Sequence, residues 1–149
     1  MTNISFKKMH PNAILPTKAH MTDVGYDLYA CENVSINLGI NSVNTGIVIA
    51  DFETNGKNLF MKIEGRSSLA KRGVFPVGGI IDPGYRGELI VMLACLDNIN
   101  DWFGERRIRS GERIAQLVFY NVENDVKINE VDQVTQTDRG DKGFGSSGK

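Results

Sequence analysis

The chain has 149 residues and a mass of 16.5 kDa, a length typical of one domain. Lysine and arginine number 17 against 18 acidic residues, with a net charge of -1 and a pI near 6.1. This balance argues against nucleic acid or an anionic membrane as the main partner. Hydrophobic residues make up 41% of the chain, but the longest apolar run, residues 89–96, is far shorter than the ~20 residues of a membrane-spanning helix.

The residue types present exclude several kinds of chemistry. Both histidines, His10 and His20, lie near the start of the chain, and Cys31 and Cys95 are far apart with no CxxC pair. Neither a histidine-rich zinc site nor a GxSxG nucleophile elbow is legible. We therefore expect reduced thiols, and an enzyme built on this chain must use carboxylates, hydroxyls, arginines and backbone groups. The first ten residues lack the apolar core of a signal peptide, so we expect a cytoplasmic protein, or one of the host cytoplasm or nucleus if the source is viral.

Short apolar segments separated by turn residues run along most of the chain. Residues 34–38 and 43–49 alternate apolar and polar side chains, which is typical of half-buried strands. Residues 59–64, 88–96 and 113–122 continue the series. The last two are nearly apolar on both faces, as expected of strands covered by a second sheet or by a neighbouring subunit.

Helical signals are scarce. Only residues 67–72 indicate a short helix, with Ser67 or Ser68 as its N-cap and Gly73 as its stop. The pattern therefore predicts an all-β fold, a two-sheet sandwich or jelly roll, in residues 1–134. Residues 135–149 are rich in glycine, serine and charge, a composition that predicts a flexible C-terminal segment of the same domain.

Two segments in the first half of the chain contain candidate functional residues, and each also has a purely structural interpretation. Asp27 at a strand entry is most often a turn acceptor, but it also suits the outer shell of a metal–nucleotide complex. Ser67 and Ser68 at a helix start are ordinarily caps. With Arg66 beside them, the same residues could form a phosphate cradle.

Two later segments are candidates of the same kind. Residues 78–89 predict a β-hairpin in which Asp82 either caps the turn or supplies a carboxylate beside a base and its sugar, with Tyr85 as a flat platform. Residues 139–149 contain GxxxxGK, but no strand precedes it and no helix follows, so it is not a P-loop. The tail is either a linker or a segment in which Arg139 and Phe144 order over a phosphorylated, base-containing ligand.

Taken together and in this order, the segments resemble the homotrimeric dUTPase family. Five motifs of that family are legible, namely GYDLYA (25–30), GRSSLA (65–70), GGIIDPGYRG (78–87), GERIAQLVF (111–119) and RGDKGFGSSG (139–148). The resemblance implies a dUTPase-like jelly-roll trimer that hydrolyses dUTP to dUMP and pyrophosphate at three sites between subunits. Such an activity limits uracil incorporation into DNA and supplies dUMP for dTTP synthesis.

The resemblance also implies roles for individual residues. Asp82 would be the general base that activates the attacking water, and Mg²⁺ would sit on the triphosphate with Asp27 in its outer shell. Residues 135–149 would close as a lid. The residues implied to bind substrate are Arg66, Ser67, Ser68, Gly79, Ile80, Tyr85, Ile90, Gln116, Arg139, Phe144 and Gly145.

Two other functions remain as alternatives. A dCTP deaminase shares the Asp-Pro-Gly-aromatic segment, but it needs a glutamate where this chain has Met92, which cannot transfer protons. A non-catalytic or dual-role protein could use nucleotide as a switch for a regulatory partner, and the segment around Trp102 would be the first place to look for it.

Overall fold

The computed structural model describes residues 2–96 and 107–137, and within them the chain folds into ten β-strands and one short helix. Strand content confirms the all-β prediction. The elements in chain order are β1 Asn3–Lys8, β2 Tyr26–Tyr29, β3 Val34–Ser35, β4 Gly39–Glu53, β5 Leu59–Glu64, α1 Ser67–Ala70, β6 Val74–Pro76, β7 Ile80–Ile81, β8 Glu88–Cys95, β9 Arg107–Ile108 and β10 Arg113–Asn121.

The strands form two four-stranded antiparallel sheets with a small two-stranded pair. The first sheet has the order β1-β4-β8-β6 and the second the order β2-β10-β5-β7, while β3 pairs with β9. Neighbours in each sheet are mostly distant in sequence, which is how a jelly roll interleaves its strands. This arrangement confirms the predicted two-sheet sandwich.

The core lies between the sheets and consists of the inward side chains of alternate strand positions. Val43 and Ile47 of β4 and Leu89 and Val91 of β8 are fully buried, as the period of two predicts. On the other face of β8, Met92 is 38% exposed. Within one chain, β8 is therefore covered on a single face along its first half, although its sequence is apolar on both.

The strand predicted at residues 34–38 is shorter than expected. Only Val34 and Ser35 pair, with β9, because the Asn41 side chain bonds both the backbone N–H and the carbonyl of Asn37 at 2.8 Å and turns the chain. Gly39 is the first residue of β4.

The helix α1 is a single turn, and its predicted N-cap is wrong. Arg66 occupies the N-cap position without a side-chain hydrogen bond, so Ser67 and Ser68 lie inside the first turn with exposed side chains. The predicted stop is close, since Gly73 follows with φ +73°.

The hairpin prediction for residues 78–89 is also wrong. β7 pairs with β5 in one sheet, whereas β8 pairs with β4 and β6 in the other. The turn itself is present, since the amide of Tyr85 bonds the carbonyl of Asp82 at 3.0 Å. This turn therefore connects the two sheets.

Two further expectations concern thiols and membranes. Cys31 and Cys95 are both buried and no disulfide joins them, and the reduced state of the thiols stays a prediction. Among the residues described, no helix has the length and apolar character needed to cross a bilayer.

Candidate active site

A cluster of two arginines around one carboxylate lies where β2 and β10 meet the end of β5. Asp27 of β2 accepts from Arg66 Nε on Oδ1 at 3.0 Å and from Arg113 Nη1 on Oδ2 at 3.3 Å. Arg66 also donates from Nη1 to the Arg113 carbonyl at 3.2 Å. The Asp27 side chain is only 13% exposed, so its charge acts in a partly dehydrated site where ion pairs are stronger than at an open surface.

Gln116 ties this cluster to the segment before α1. It lies between Asp27 on β2 and Glu64 on β5 in the strand register, and its Nε2 donates to the Gly65 carbonyl at 3.0 Å. Gly25 is buried against the same side chain, and a Cβ at that position would lie 2.9 Å from the Gln116 Cβ. Glycine is therefore required there for Gln116 to reach the backbone of the Arg66 segment.

The cluster combines cationic donors with one carboxylate, a set that suits an anion accompanied by a hydrated cation. No group of three or more metal-binding side chains occurs within residues 2–96 and 107–137. Magnesium retains several waters and commonly takes only one or two carboxylates together with substrate phosphates. Each Asp27 oxygen keeps a lone pair beyond its arginine bond, so this carboxylate fits contact with a metal-bound water.

The Asp82 turn is a second group, and it is braced by its own residues. Tyr85 donates from its backbone to Asp82 and from its hydroxyl to the Glu88 carbonyl at 2.9 Å. Arg86 Nη1 bonds the carbonyls of Pro83 and Tyr85 at 2.8 and 2.9 Å. The Asp82 side chain is exposed and borders a groove of about 450 Å³.

Beside this turn, both flanking strands present backbone groups that have no ladder partner among residues 2–96 and 107–137. The Gly79 carbonyl accepts the Ile63 amide at 2.8 Å, and backbone direction alternates along a strand. Ile80 therefore points its N–H and C=O away from β5, at the open edge of the second sheet.

The same reasoning applies to β8. The Met92 carbonyl accepts the Val77 amide at 2.9 Å, on the side away from β4, and alternation gives Ile90 the same direction. Because β6 ends at Pro76, the N–H and C=O of Ile90 lie beyond its reach. Two open backbone edges thus flank the Asp82 turn.

A pair of charges and a phenol lie on the outward face of the second sheet next to Gln116. Lys62 Nζ is 2.6 Å from Glu64 Oε1, and the Tyr120 hydroxyl donates to the same oxygen at 3.1 Å. The hydrogen bond from Lys62 holds the pKa of Glu64 below its ordinary value, and the carboxylate in turn raises the pKa values of Lys62 and Tyr120.

The structure thus sorts the residues named from the sequence into two groups. Asp27, Arg66 and Gln116 form the arginine cluster with Ser67 and Ser68 beside it. Gly79, Ile80, Asp82, Tyr85 and Ile90 surround the turn. Within the described ranges, no hydrogen bond or ion pair joins one group to the other. Arg139, Phe144 and Gly145 lie outside the described residues.

Two residues of these groups were missed by sequence reasoning. Arg113 could have been found, because it lies in the same nine-residue motif as Gln116 and an arginine is a natural partner for a carboxylate. No sequence pattern pointed to a role for Glu88, because its contacts depend on the pairing of β8 with the distant strand β4.

The fold and the two groups define a two-sheet β-sandwich with two arginines around one carboxylate and a second, exposed carboxylate beside open strand edges. The family model for dUTPase matches residues 11–148, and the chain belongs to the dUTPase family. The fold class expected from the five motifs is confirmed by this match and by the solved structures below.

Curated relatives and solved structures agree along nearly the whole length. The deoxyuridine 5'-triphosphate nucleotidohydrolase of Clostridioides difficile is 36% identical over 152 residues, covering 99% of both chains. The enzyme of the same name from Candida albicans is 38% identical over 143 residues, covering 93% of this chain and 84% of its own. The dUTPase of Staphylococcus bacteriophage 80alpha, solved with dUPNHPP, superposes with a TM-score of 0.80 at 26% identity and 99% coverage of both chains.

One further solved structure concerns a bound metal ion. A point mutant of the dUTPase from phage phi11 of S. aureus has a TM-score of 0.71 at 20% identity, covering 90% of this chain and 99% of its own. That structure reveals the coordination of a structural Mg(II) ion in the phage protein. For this chain, the likeness supports the fold.

Proposed function

We propose that this member of the dUTPase family hydrolyses dUTP to dUMP and pyrophosphate, with Asp82 as the general base. The observation that carries the proposal is the Asp82 turn, which holds an exposed carboxylate between two open backbone edges. A carboxylate on a turn braced by its own hydrogen bonds keeps a constant position relative to a bound substrate.

The backbone groups at the open strand edges would recognise the base by hydrogen bonds. Uracil presents two carbonyl acceptors and one N–H donor, and the paired N–H and C=O groups of Ile80 and Ile90 complement such an edge. Cytosine has an amine where uracil has O4, so one backbone donor would face another donor. A buried polar mismatch of this kind gives strong discrimination, and Gly79 lets the chain lie close to Ile63 of β5, which holds the neighbouring Ile80 in place.

The arginine cluster supplies the phosphate site. Arg66 and Arg113 are held side by side by Asp27, so their remaining N–H groups are pre-oriented for phosphate oxygens without a large loss of side-chain entropy. Ser67, Ser68 and Gln116 lie beside them as neutral hydrogen-bonding groups. Magnesium carried by the triphosphate would neutralise part of its charge, and Asp27 would hold one of that ion's waters.

In the reaction, Asp82 accepts a proton from a water whose oxygen attacks the α-phosphorus. The bond from the α-phosphorus to its bridging oxygen breaks, and pyrophosphate leaves with both electrons of that bond. The cations of the arginine cluster face the charge that develops on the leaving group. Water plus dUTP thus gives dUMP, pyrophosphate and a proton.

A homotrimer would complete the site. The two groups are not bonded to each other within one chain, and apolar side chains such as Ile40 and Met92 are exposed on the outer face of the first sheet. We place the active site where the turn of one subunit meets the arginine cluster of another. Arg139, Phe144 and Gly145 would close over the nucleotide as a lid, with the arginine on phosphate and the ring on the base.

The test is pyrophosphate release from dUTP, dCTP, dTTP and UTP, with Mg²⁺ and with EDTA. Wild type should hydrolyse dUTP alone and lose activity in EDTA. Asp82→Asn should lower kcat by about 10²–10⁴-fold, the usual contribution of a general base, while still binding dUTP. Asp51→Asn, an exposed carboxylate on β4, serves as the matched control.

Each contrary result has a distinct meaning. Turnover of Asp82→Asn equal to that of Asp51→Asn would refute the general-base assignment. No release from any nucleotide by a folded protein that still binds dUTP would favour a nucleotide-switched binding protein. Ammonia released from dCTP would favour a deaminase, against which the exposed Met92 on β8 already argues.

A further inference from the structure

β4 carries a bulge opposite the first residue of β8. The register passes from Asn44↔Ile90 to Val48↔Glu88, so β4 has two more residues than β8 over this stretch. Gly46 in the bulge has φ +69°, and a Cβ there would lie 2.6 Å from the His10 Cβ. A bulge of this kind leaves backbone groups without a ladder partner.

The Glu88 side chain fills that gap. Its Oε1 accepts the Gly46 N–H at 2.8 Å, and its Oε2 accepts the Asn44 side-chain amide at 3.3 Å. Both bonds are charge-assisted, which makes them stronger than neutral ones. Glu88 is thereby anchored to β4 by its side chain at the point where β8 emerges from the Asp82 turn.

The backbone of the same residue holds Tyr85. The Glu88 carbonyl accepts the Tyr85 hydroxyl at 2.9 Å. The ring lies close over residue 87, where a Cβ would be 2.6 Å from the Tyr85 Cζ. Tyr85 nevertheless remains 40% exposed, so its ring is fixed at one end and open to a ligand.

We propose that Glu88 is a positioning residue for sugar selection. Its carboxylate anchors the carbonyl that holds the Tyr85 ring, and the anchored ring leaves no room for a 2′-hydroxyl. This rests on the proposed function and on the expectation from the sequence that Tyr85 is a flat platform, here against the deoxyribose. A shift of the ring by roughly an ångström is enough to change selectivity, because rejection of ribose depends on a close steric contact.

Glu88→Ala should therefore lower the selectivity ratio, which is kcat/KM for dUTP divided by kcat/KM for UTP, by about tenfold. Most of this change should come from the KM values. The kcat for dUTP should fall less than about threefold, since the Tyr85 amide still bonds the Asp82 carbonyl. Glu88→Gln keeps an oxygen for the Gly46 N–H and should restore most of the ratio. Glu53→Ala, which removes an exposed carboxylate at the far end of β4, is the matched control.

Tyr85→Phe removes the hydroxyl that donates to the Glu88 carbonyl. This variant separates an effect on ring position from an effect on general stability. If Glu88 acts through the ring, Glu88→Ala combined with Tyr85→Phe should discriminate no worse than Tyr85→Phe alone. A purely structural role would instead lower the melting temperature while leaving the nucleotide ratio at its wild-type value.

A folded Glu88→Ala protein with the wild-type ratio would overturn the proposal. If that variant does not fold, Tyr85→Phe removes the 2.9 Å bond from the ring to the Glu88 carbonyl, and an unchanged ratio in it would overturn the proposal equally. If wild type does not hydrolyse dUTP, the proposed function has failed instead. The link is then tested by NMR, where unchanged Gly46 amide exchange and Tyr85 ring signals in the folded variant would refute it.

Discussion

Gly79→Ala tests whether the close approach of β7 to β5 is required. Gly79 has φ +95°, a conformation that costs a residue with a side chain about 1–3 kcal/mol. A Cβ would also lie 2.9 Å from the Ile63 carbonyl oxygen and 3.1 Å from the Ile63 Cβ. β7 would have to move away and weaken the 2.8 Å bond from the Ile63 amide, which costs about 0.5–1.5 kcal/mol more.

The sum is about 1.5–4.5 kcal/mol, which lowers the melting temperature by roughly 3–18 °C for a domain of this size. Because Ile80 follows Gly79, the same shift should raise the KM for dUTP. Melting is measured by calorimetry at one fixed protein concentration, since subunit association would make it concentration-dependent.

Two other glycines provide the controls. Gly78 has φ +71° but no atom within 4 Å of a built Cβ, so Gly78→Ala carries strain of about 1–2 kcal/mol without a collision. Gly84 has no positive φ and no neighbour within 4 Å, and Gly84→Ala should stay within about 0.5 kcal/mol of wild type. Equal melting of Gly79→Ala and Gly78→Ala would refute the argument from contact with β5.

Three further predictions follow from charge and burial. Asp27→Asn should destabilise the protein by about 1 kcal/mol and lower kcat/KM for dUTP about tenfold, because Arg66 loses its 3.0 Å ionic partner; unchanged kinetics would contradict its positioning role. Burial raises the pKa of the Cys31 thiol and the Cys95 side chain is itself buried, so neither thiol should react with a disulfide reagent until denaturant is added, and rapid labelling of the native protein would contradict this. The pKa of Glu64 is lowered from its ordinary value of 4.5, so the ionised carboxylate stabilises the fold above that pH, and this stability is lost as the pH falls through the pKa of the folded state. The difference in melting temperature between wild type and Glu64→Gln should therefore be present at about pH 7 and shrink in acid. A difference that does not depend on pH would contradict this.

Local chemistry made some features predictable from sequence. The alternation of Val43, Thr45 and Ile47 predicted a strand with one buried face, and the Asp82–Pro83 pair predicted a turn. Both depend only on side-chain period and backbone preference within a few residues, so distant contacts do not change them.

Two of the incorrect predictions depended on longer-range context. Ser67 was expected to cap α1, but the chain enters the helix through Arg66, whose guanidinium is held by Asp27 from another strand. The hairpin at residues 78–89 has suitable turn residues, yet its strands find better partners in opposite sheets. Turn chemistry specifies a change of direction and leaves the choice of strand partner open.

By itself, the sequence determined the all-β class and the dUTPase family, because these depend on side-chain period, residue types and ordered motifs that need no coordinates. Only the tertiary structure decided that Asp27 holds two arginines, that Ile80 and Ile90 leave open edges, and that Glu88 anchors the Tyr85 turn. The physical reason is that hydrogen bonds between strands distant in sequence are set by register and bulges, and register emerges only when both sheets have packed on one core.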